Sequence, residues 1–182
     1  MLKQVQHDKD IEIIEHKLNN AMTLSTLIAT FPSIDFPVME AKAAALAAHL
    51  KPGDIITLQG ELGAGKTSFA RALIGAIAVD APEVTSPTFT LMQPFDVKLA
   101  DGEPETLWHL DLYRLKESQE CEALGLEELW PHITLIEWPD IAKDLLPAGY
   151  LEIAFDFGST QESRTLTFLG NDAWRKRLSH IG

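Results

Sequence analysis

The eight residues at positions 60–67 constrain the fold of this chain more than any other feature of its sequence. They read GELGAGKT, in which two glycines bracket four other positions and are followed by Lys66 and Thr67. Glycine lets the backbone turn through positive φ and approach a polyphosphate without a Cβ atom in the way. A lysine here reaches the β- and γ-phosphates, and a threonine hydroxyl here binds Mg²⁺. The stretch therefore predicts a phosphate-binding loop, with positive φ at Gly60, Gly63 and Gly65.

The residues on either side of the loop support this interpretation. Residues 55–59 form a short run rich in β-branched side chains, and residues 68–74 have the apolar period of a helix. A strand, a glycine-rich loop and a helix are needed in this order, because the helix directs its positive dipole end at the bound anion. A chance match to the loop pattern arises in about one per cent of chains of this length. We therefore expect the chain to bind a nucleotide, and we interpret the other residues on that basis.

Composition excludes several classes of protein. The chain has 182 residues, 46% of them hydrophobic, which predicts one globular domain. It has no apolar run of the roughly 18 residues that a membrane span needs, and its polar start does not resemble a signal peptide, so we expect a soluble cytoplasmic protein. The single cysteine, Cys121, excludes a disulfide and a cysteine-based metal site within the chain and is expected to be an ordinary helix residue.

The charge of the chain argues against a broad contact with nucleic acid. The net charge is −12 at pH 7, whereas binding to a phosphate backbone requires a basic face. If the protein serves RNA, we expect it to do so through another protein. Residues 100–128 contain nine acidic and two basic residues. This stretch is either a solvated face or a docking surface for a basic partner.

The order of the remaining elements predicts the fold class. Residues 1–30 are expected to be an N-terminal extension, weakly structured or a short helix, and residues 31–182 a single ATPase domain. A short connection between two strands favours a hairpin, so the expected architecture is an α/β P-loop NTPase three-layer fold, with a mixed, partly antiparallel central sheet flanked by helices. The predicted elements are strands at 55–59, 105–111, 133–137, 150–157 and 164–169, a strand starting near Thr88, helical segments at 38–50, 68–74, 118–124 and 126–130, and a last helix capped by Asn171.

Two carboxylates stand at the ends of predicted strands. Asp111 closes the run LWHLD and Glu137 closes the run ITLIE. Ligands of open α/β sheets lie beyond the carboxyl ends of the strands, and Mg²⁺ uses one or two carboxylates together with waters and phosphate oxygens. Which acid binds the metal and which orients the attacking water stays open, and each is alternatively a helix cap.

Other polar and aromatic residues have two interpretations each. Thr88 and Thr90 either sense the γ-phosphate as a switch loop does or simply favour a strand. His109, two residues before Asp111, is expected to be a core histidine with its hydrogen bonds satisfied. Trp138 covers either the nucleotide or a partner face, or packs as a loop aromatic.

Taken together, five motifs resemble the bacterial TsaE (YjeE) ATPases across residues 36–169. They are GELGAGKT, SPTFTLMQPF at 86–95, HLDLYRL at 109–115, LGLEELW at 124–130 and LIEWP at 135–139. The resemblance implies an ATPase required to form the threonylcarbamoyl group on the adenosine next to the anticodon of tRNAs that read codons starting with A. It implies ATP and Mg²⁺ as cofactors, action on the TsaD–TsaB complex through ATP binding and hydrolysis, slow hydrolysis without partners, and indirect or weak contact with tRNA.

The resemblance also assigns roles to residues. It implies catalytic roles for Lys66, Asp111 and Glu137. It makes Thr67 and Glu137 the Mg²⁺ ligands, with Asp111 as the other acid and a further candidate ligand, and it includes Tyr113 and Arg114 among positions that the family fills. The residues implied in ATP binding are Leu62, Gly63, Ala64, Gly65, Lys66, Thr67, Ser68, Phe36, Arg164 and Trp138.

Two other function classes use the same loop. A small-molecule kinase is the main alternative, but such kinases usually need an arginine-rich lid, and the arginines after Arg71 are scattered along the chain. A GTP-driven switch protein is the second alternative. The chain has no NKxD-like sequence to recognise guanine and no DxxG after the second strand, which disfavours this class.

Overall fold

The structure is a computed structural model and describes residues 26–80 and 91–181. These residues form seven strands, four α-helices and two 3-10 helices. The strands are β1 (Thr26–Ile34), β2 (Ile55–Gly60), β3 (Met92–Lys98), β4 (Pro104–Asp111), β5 (Ile133–Glu137), β6 (Leu151–Phe157) and β7 (Arg164–Gly170). The α-helices are α1 (Phe36–Ala47), α2 (Lys66–Ile77), α3 (Ser118–Ala123) and α4 (Asp172–Arg177), and the 3-10 helices are Leu126–Leu129 and Pro139–Leu145.

The strands form one mixed sheet in the order β1-β7-β6-β2-β5-β4-β3. The central strands β4, β5, β2 and β6 run parallel, and β3, β7 and β1 each pair antiparallel with their neighbour. The carboxyl ends of β2, β4 and β5 therefore meet at one edge of the sheet. The mixed sheet and the hairpin of β3 with β4 confirm the sequence prediction, while the predicted strand start near Thr88 lies outside the described residues.

Strand β1 was not predicted, and its first residues belong to the stretch that the sequence analysis assigned to an N-terminal extension. It pairs with β7 at the edge of the sheet, with irregular register between Leu27 and Ala29 and between Phe31 and Ile34. An edge strand with such bulges does not alternate cleanly between apolar and polar residues, and Pro32 is tolerated because it lies at an edge. This explains why the sequence pattern did not reveal it.

Helix α1 begins two residues before the predicted start at position 38. The side chain of Asp35 accepts a hydrogen bond from the Val38 amide at 3.0 Å, and Pro37 lies in the first turn. An aspartate that accepts from the third residue after it is a favourable N-cap, and proline is tolerated there because the first amides have no partner within the helix. Phe36 is thereby held at the start of α1, next to the loop.

Hydrophobic clusters cover both faces of the sheet and produce three layers. One cluster joins α1, α2 and α4 to the sheet, with the ring of Phe69 edge-on to those of Phe155 and Phe168. The other joins α3 and the 3-10 helices to the opposite face and contains Cys121, which is buried. Within the residues that the structure describes, no helix is both long and apolar enough to cross a membrane.

Candidate functional site

The loop between β2 and α2 has the backbone that its glycines predict. Gly60, Gly63 and Gly65 have φ angles of 153°, 77° and 103°. These values lie in a region that residues with a Cβ atom rarely occupy. A Cβ atom on Gly60 would also lie 2.5 Å from the carbonyl oxygen of Phe155. The prediction of positive φ at these glycines is confirmed, and at Gly60 the close approach of β6 adds a second reason for glycine.

Lys66 is the first residue of α2, and its ammonium group lies inside the loop. Its side chain donates hydrogen bonds to the carbonyl oxygens of Gly60 at 2.7 Å and Glu61 at 2.9 Å. The Nζ atom is 3.7 Å from the centroid of the Trp138 ring. Burial lowers the pKa of Lys66, and the nearby carboxylates, Glu137 first, oppose this shift. The loop thus holds a partly desolvated cation at the start of a helix, which favours binding of an anion.

The side chains of Thr67, Glu137 and His109 are linked by hydrogen bonds. The Thr67 hydroxyl donates to Oε2 of Glu137 at 2.8 Å, and Nε2 of His109 lies 2.9 Å from Oε1 of the same carboxylate. Because an ionised carboxylate only accepts, the His109 proton is placed on Nε2. His109 and Glu137 are both buried. The prediction of a core histidine is correct as to burial, but its hydrogen bonds are not all satisfied, because the buried Nδ1 atom has no partner among the described residues. The link to Glu137 was missed.

Asp111 is buried and lies next to Glu137, since the two residues are paired in the register of β4 and β5. Its Oδ1 atom accepts a hydrogen bond from the Tyr113 amide at 3.0 Å. Asp111 therefore stabilises the turn after β4 and also contributes a carboxylate to the same edge of the sheet. The alternative prediction of a helix cap is wrong for Asp111, because the next helix begins at Ser118 and has Glu117 as its N-cap.

An aromatic pair lies beside these acids. The rings of Tyr113 and Trp138 have centroids 4.8 Å apart at an angle of 47°. Trp138 has φ 58° and ψ 58°, a left-handed conformation that costs on the order of 1–3 kcal/mol for a residue with a bulky side chain. In this backbone conformation the indole lies against the Lys66 ammonium. Thr88 and Thr90, the candidate switch residues, lie outside the described residues.

These groups line a cleft of about 300 Å³. Among the residues that the sequence suggested for the site, Ala64, Arg114 and Arg164 do not line it. Ala64 is buried, and Arg164 hydrogen bonds to the carbonyl oxygens of Gly63 and Ala64. The lining residues are Phe36, Leu62, Gly63, Gly65, Lys66, Thr67, Ser68, Asp111, Tyr113, Glu137 and Trp138.

The oxygen atoms of the cleft fit a magnesium ion. Thr67 Oγ1 and Glu137 Oε2 are 2.8 Å apart, and adjacent ligands of an octahedral Mg²⁺ are about 3 Å apart. Over residues 26–80 and 91–181 no group of three or more His, Cys, Asp and Glu side chains is placed to hold a metal ion. A hydroxyl with one or two carboxylates, completed by phosphate oxygens and waters, is the donor set that Mg²⁺ prefers over a cage of protein ligands.

A family model described as "Threonylcarbamoyl adenosine biosynthesis protein TsaE" matches residues 36–166. The chain belongs to the TsaE family. This TsaE-family chain is 45% identical over 112 residues to the TsaE protein of Rickettsia bellii, which covers 61% of this chain and 74% of that protein. It is 37% identical over 128 residues to the TsaE protein of Bacillus subtilis, which covers 69% of this chain and 76% of that protein. The family resemblance of the sequence motifs is confirmed.

The fold agrees with a solved structure. The crystal structure of Bacillus subtilis YdiB superposes with a TM-score of 0.66 at 25% identity, covering 87% of this chain and 95% of that one. Together with the glycine loop and the mixed sheet, this confirms the expected α/β P-loop NTPase fold for the TsaE-family chain.

Proposed function

We propose that this protein is a Mg²⁺-dependent ATPase required to form the threonylcarbamoyl group on the adenosine next to the anticodon of tRNAs that read codons starting with A. The observation that carries the proposal is the convergence of Lys66, Thr67 and Glu137 at the mouth of the glycine loop. Membership of the TsaE family and the name shared by the two relatives, "tRNA threonylcarbamoyladenosine biosynthesis protein TsaE", support the biological role.

The loop and Lys66 bind the triphosphate in this proposal. The ammonium group exchanges its bonds to the Gly60 and Glu61 carbonyls for phosphate oxygens, a charge-assisted interaction that a partly desolvated lysine favours. Thr67 and Glu137 would hold Mg²⁺, which when bound supplies neutralisation of charge on the β- and γ-phosphates. Asp111, beside Glu137, is then the acid available to orient a water and to accept its proton.

The surface supports action through protein partners rather than direct binding of tRNA. Seven of the nine acidic residues between positions 100 and 128 are exposed, which disfavours contact with a phosphate backbone. On the strength of the family resemblance we propose TsaD and TsaB as the partners in a cytoplasmic complex, with hydrolysis slow until they bind and tRNA contacted only indirectly or weakly. The exposed acidic residues are Asp101, Glu103, Glu117, Glu120, Glu122, Glu127 and Glu128.

The test is a tRNA modification assay reconstituted with TsaD, TsaB and the threonylcarbamoyl donor, with and without this protein. Lys66→Ala should abolish nucleotide binding in calorimetry and modification of tRNA, whereas Lys98→Ala, at an exposed lysine of β3, should leave both unchanged. Modification by Lys66→Ala at the rate of wild type would refute the proposal. Transfer of the γ-phosphate to a metabolite instead of water would establish the kinase alternative.

A further inference from the structure

Arg164, the first residue of β7, is buried, and its guanidinium group donates four hydrogen bonds to backbone carbonyls of two segments. Its Nε donates to the Ala64 carbonyl at 3.1 Å and its Nη2 donates to the Gly63 carbonyl at 3.0 Å. Its Nη1 donates to the carbonyls of Gln161 at 2.9 Å and Ser163 at 2.7 Å. One side chain thus joins the turn between β6 and β7 to the glycine loop, which lies 100 residues earlier in the sequence.

Two aromatic rings hold the guanidinium in place. Its central carbon lies 5.2 Å from the centroid of Phe36 and 4.8 Å from the centroid of Phe157. Arginine is the side chain suited to this position, because its planar fork presents donors in fixed directions and its faces stack on aromatic rings. A lysine keeps the charge but offers neither the fork nor the flat face.

These bonds determine the orientation of two peptide groups of the loop. The peptide between Gly63 and Ala64 is held at both ends, since its carbonyl accepts from Arg164 and its N–H donates to Glu61 at 3.1 Å. The peptide between Ala64 and Gly65 has its carbonyl on Arg164. In a planar trans peptide the N–H points opposite to the carbonyl, so the Gly65 amide is directed to the other side of the loop.

We propose that Arg164 is a positioning residue that holds the glycine loop in its phosphate-binding conformation before the nucleotide arrives. It acts from behind the loop, by fixing the Ala64 carbonyl so that the Gly65 amide faces the cleft, and it does not contact the nucleotide. This differs from the ATP contact that the family resemblance implies for the same residue. The inference rests on the proposed nucleotide binding only for the expected effect on nucleotide affinity. The orientation of the loop is a property of the free protein.

The experiment compares Arg164→Lys with Arg177→Lys. Arg177 is the control, because it also donates to a backbone carbonyl, that of His49, and lies over an aromatic ring, that of Trp174. Unlike Arg164 it pairs with a carboxylate, that of Asp54, and it lies beyond the amino end of β2. Hydrogen–deuterium exchange is measured on the peptide covering residues 60–66 without nucleotide, and ADP affinity is measured by calorimetry. Thermal midpoints report the general loss of stability in both variants.

Arg164→Lys should speed exchange of the loop amides about tenfold in the free protein and weaken ADP binding about tenfold, the effect of losing one to two hydrogen bonds. Arg177→Lys should change neither the loop exchange rate nor the ADP affinity, even if its thermal midpoint falls by as much as that of Arg164→Lys. Phe157→Ala removes a ring that contacts the Arg164 guanidinium and should give a smaller increase in loop exchange. Because this ring is 55% exposed, the variant should fold, and it tests the inference if Arg164→Lys does not fold.

Wild-type loop exchange in both Arg164→Lys and Phe157→Ala would overturn the inference. Weakened ADP binding with unchanged exchange would instead assign Arg164 a direct contact with the nucleotide. If the wild-type protein itself gave no heat with ADP, the proposed function would fail, while the exchange measurement on the free loop would still decide the role of Arg164.

Discussion

The carboxylate of Glu137 receives a hydrogen bond on each of its oxygens, from Thr67 on one side and from His109 on the other. All three side chains come from different elements, and two of them are buried. A histidine that donates to a candidate metal ligand orients it and increases the precision of the site. We therefore expect His109 to matter for the binding of Mg²⁺ through Glu137 rather than by contact with the nucleotide.

Replacing His109 tests this expectation. His109→Leu removes a hydrogen bond to a buried charged group and should lower the free energy of unfolding by about 1.5–3 kcal/mol. It should also raise the Mg²⁺ concentration needed for tight ATP binding. His109→Gln, whose amide nitrogen can take the place of Nε2, should restore much of the Mg²⁺ dependence. Mg²⁺ titrations monitored by calorimetry measure the effect, and an unchanged Mg²⁺ requirement in His109→Leu would show that the histidine is only a core residue.

At the scale of elements, one ion pair connects the start of β2 to the last helix. Asp54 accepts hydrogen bonds from the Lys51 amide at 2.8 Å and from the Arg177 guanidinium of α4. Burial raises the pKa of the Asp54 carboxyl, and the hydrogen bonds from Arg177 and Lys51 only partly oppose this. The pair thus anchors α4 while leaving the charged carboxylate partly desolvated.

This pKa shift predicts the sign of a pH effect on stability. The folded protein takes up a proton on Asp54 at a higher pH than the unfolded chain, so the contribution of this carboxyl to stability is present at low pH and is lost as pH rises through the folded-state pKa. The free energy of unfolding of wild type minus that of Asp54→Asn should therefore increase from neutral to mildly acidic pH. Urea denaturation over this range measures it, and a difference that decreases toward acidic pH would contradict the assignment.

At the scale of the whole molecule, the site exists only when the sheet is assembled. The glycine loop follows β2, Asp111 ends β4, Glu137 ends β5 and Phe36 begins α1. A ligand that contacts all of these elements binds the folded chain and not the unfolded chain. Nucleotide binding and global stability are consequently linked.

Nucleotide should therefore raise the thermal stability of the protein. At a concentration of ATP about 100 times Kd, with Mg²⁺, the free energy of unfolding should rise by about 2.7 kcal/mol. For a domain of this size that corresponds to roughly 5–10 °C in Tm. Differential scanning calorimetry should show this increase for wild type and for Lys98→Ala, but not for Lys66→Ala. An equal increase in Lys66→Ala would mean that the nucleotide binds elsewhere.

The sequence was sufficient to predict the features that depend on a local pattern of residues. Positive φ at Gly60, Gly63 and Gly65 follows from the residue type and the spacing of the loop, and Asn171 does cap α4, its side chain accepting from the Trp174 amide at 3.0 Å. The strand 133–137 has the predicted bounds, because a short apolar run that ends in a charge leaves few alternatives. These features depend on residues within a few positions of one another, so the sequence shows them directly.

The features that only the tertiary structure decided join residues distant in the sequence. Strand β1 forms by pairing with β7 at the edge of the sheet. His109 contacts Glu137 because β4 and β5 are neighbouring strands. Arg164 donates to the Ala64 carbonyl, which lies 100 residues earlier in the sequence. The sequence determined which groups we propose to bind phosphate, since they lie together in one loop. The structure decided which groups hold that loop and its carboxylates in position, because such support depends on the order of strands in the sheet and not on any local pattern.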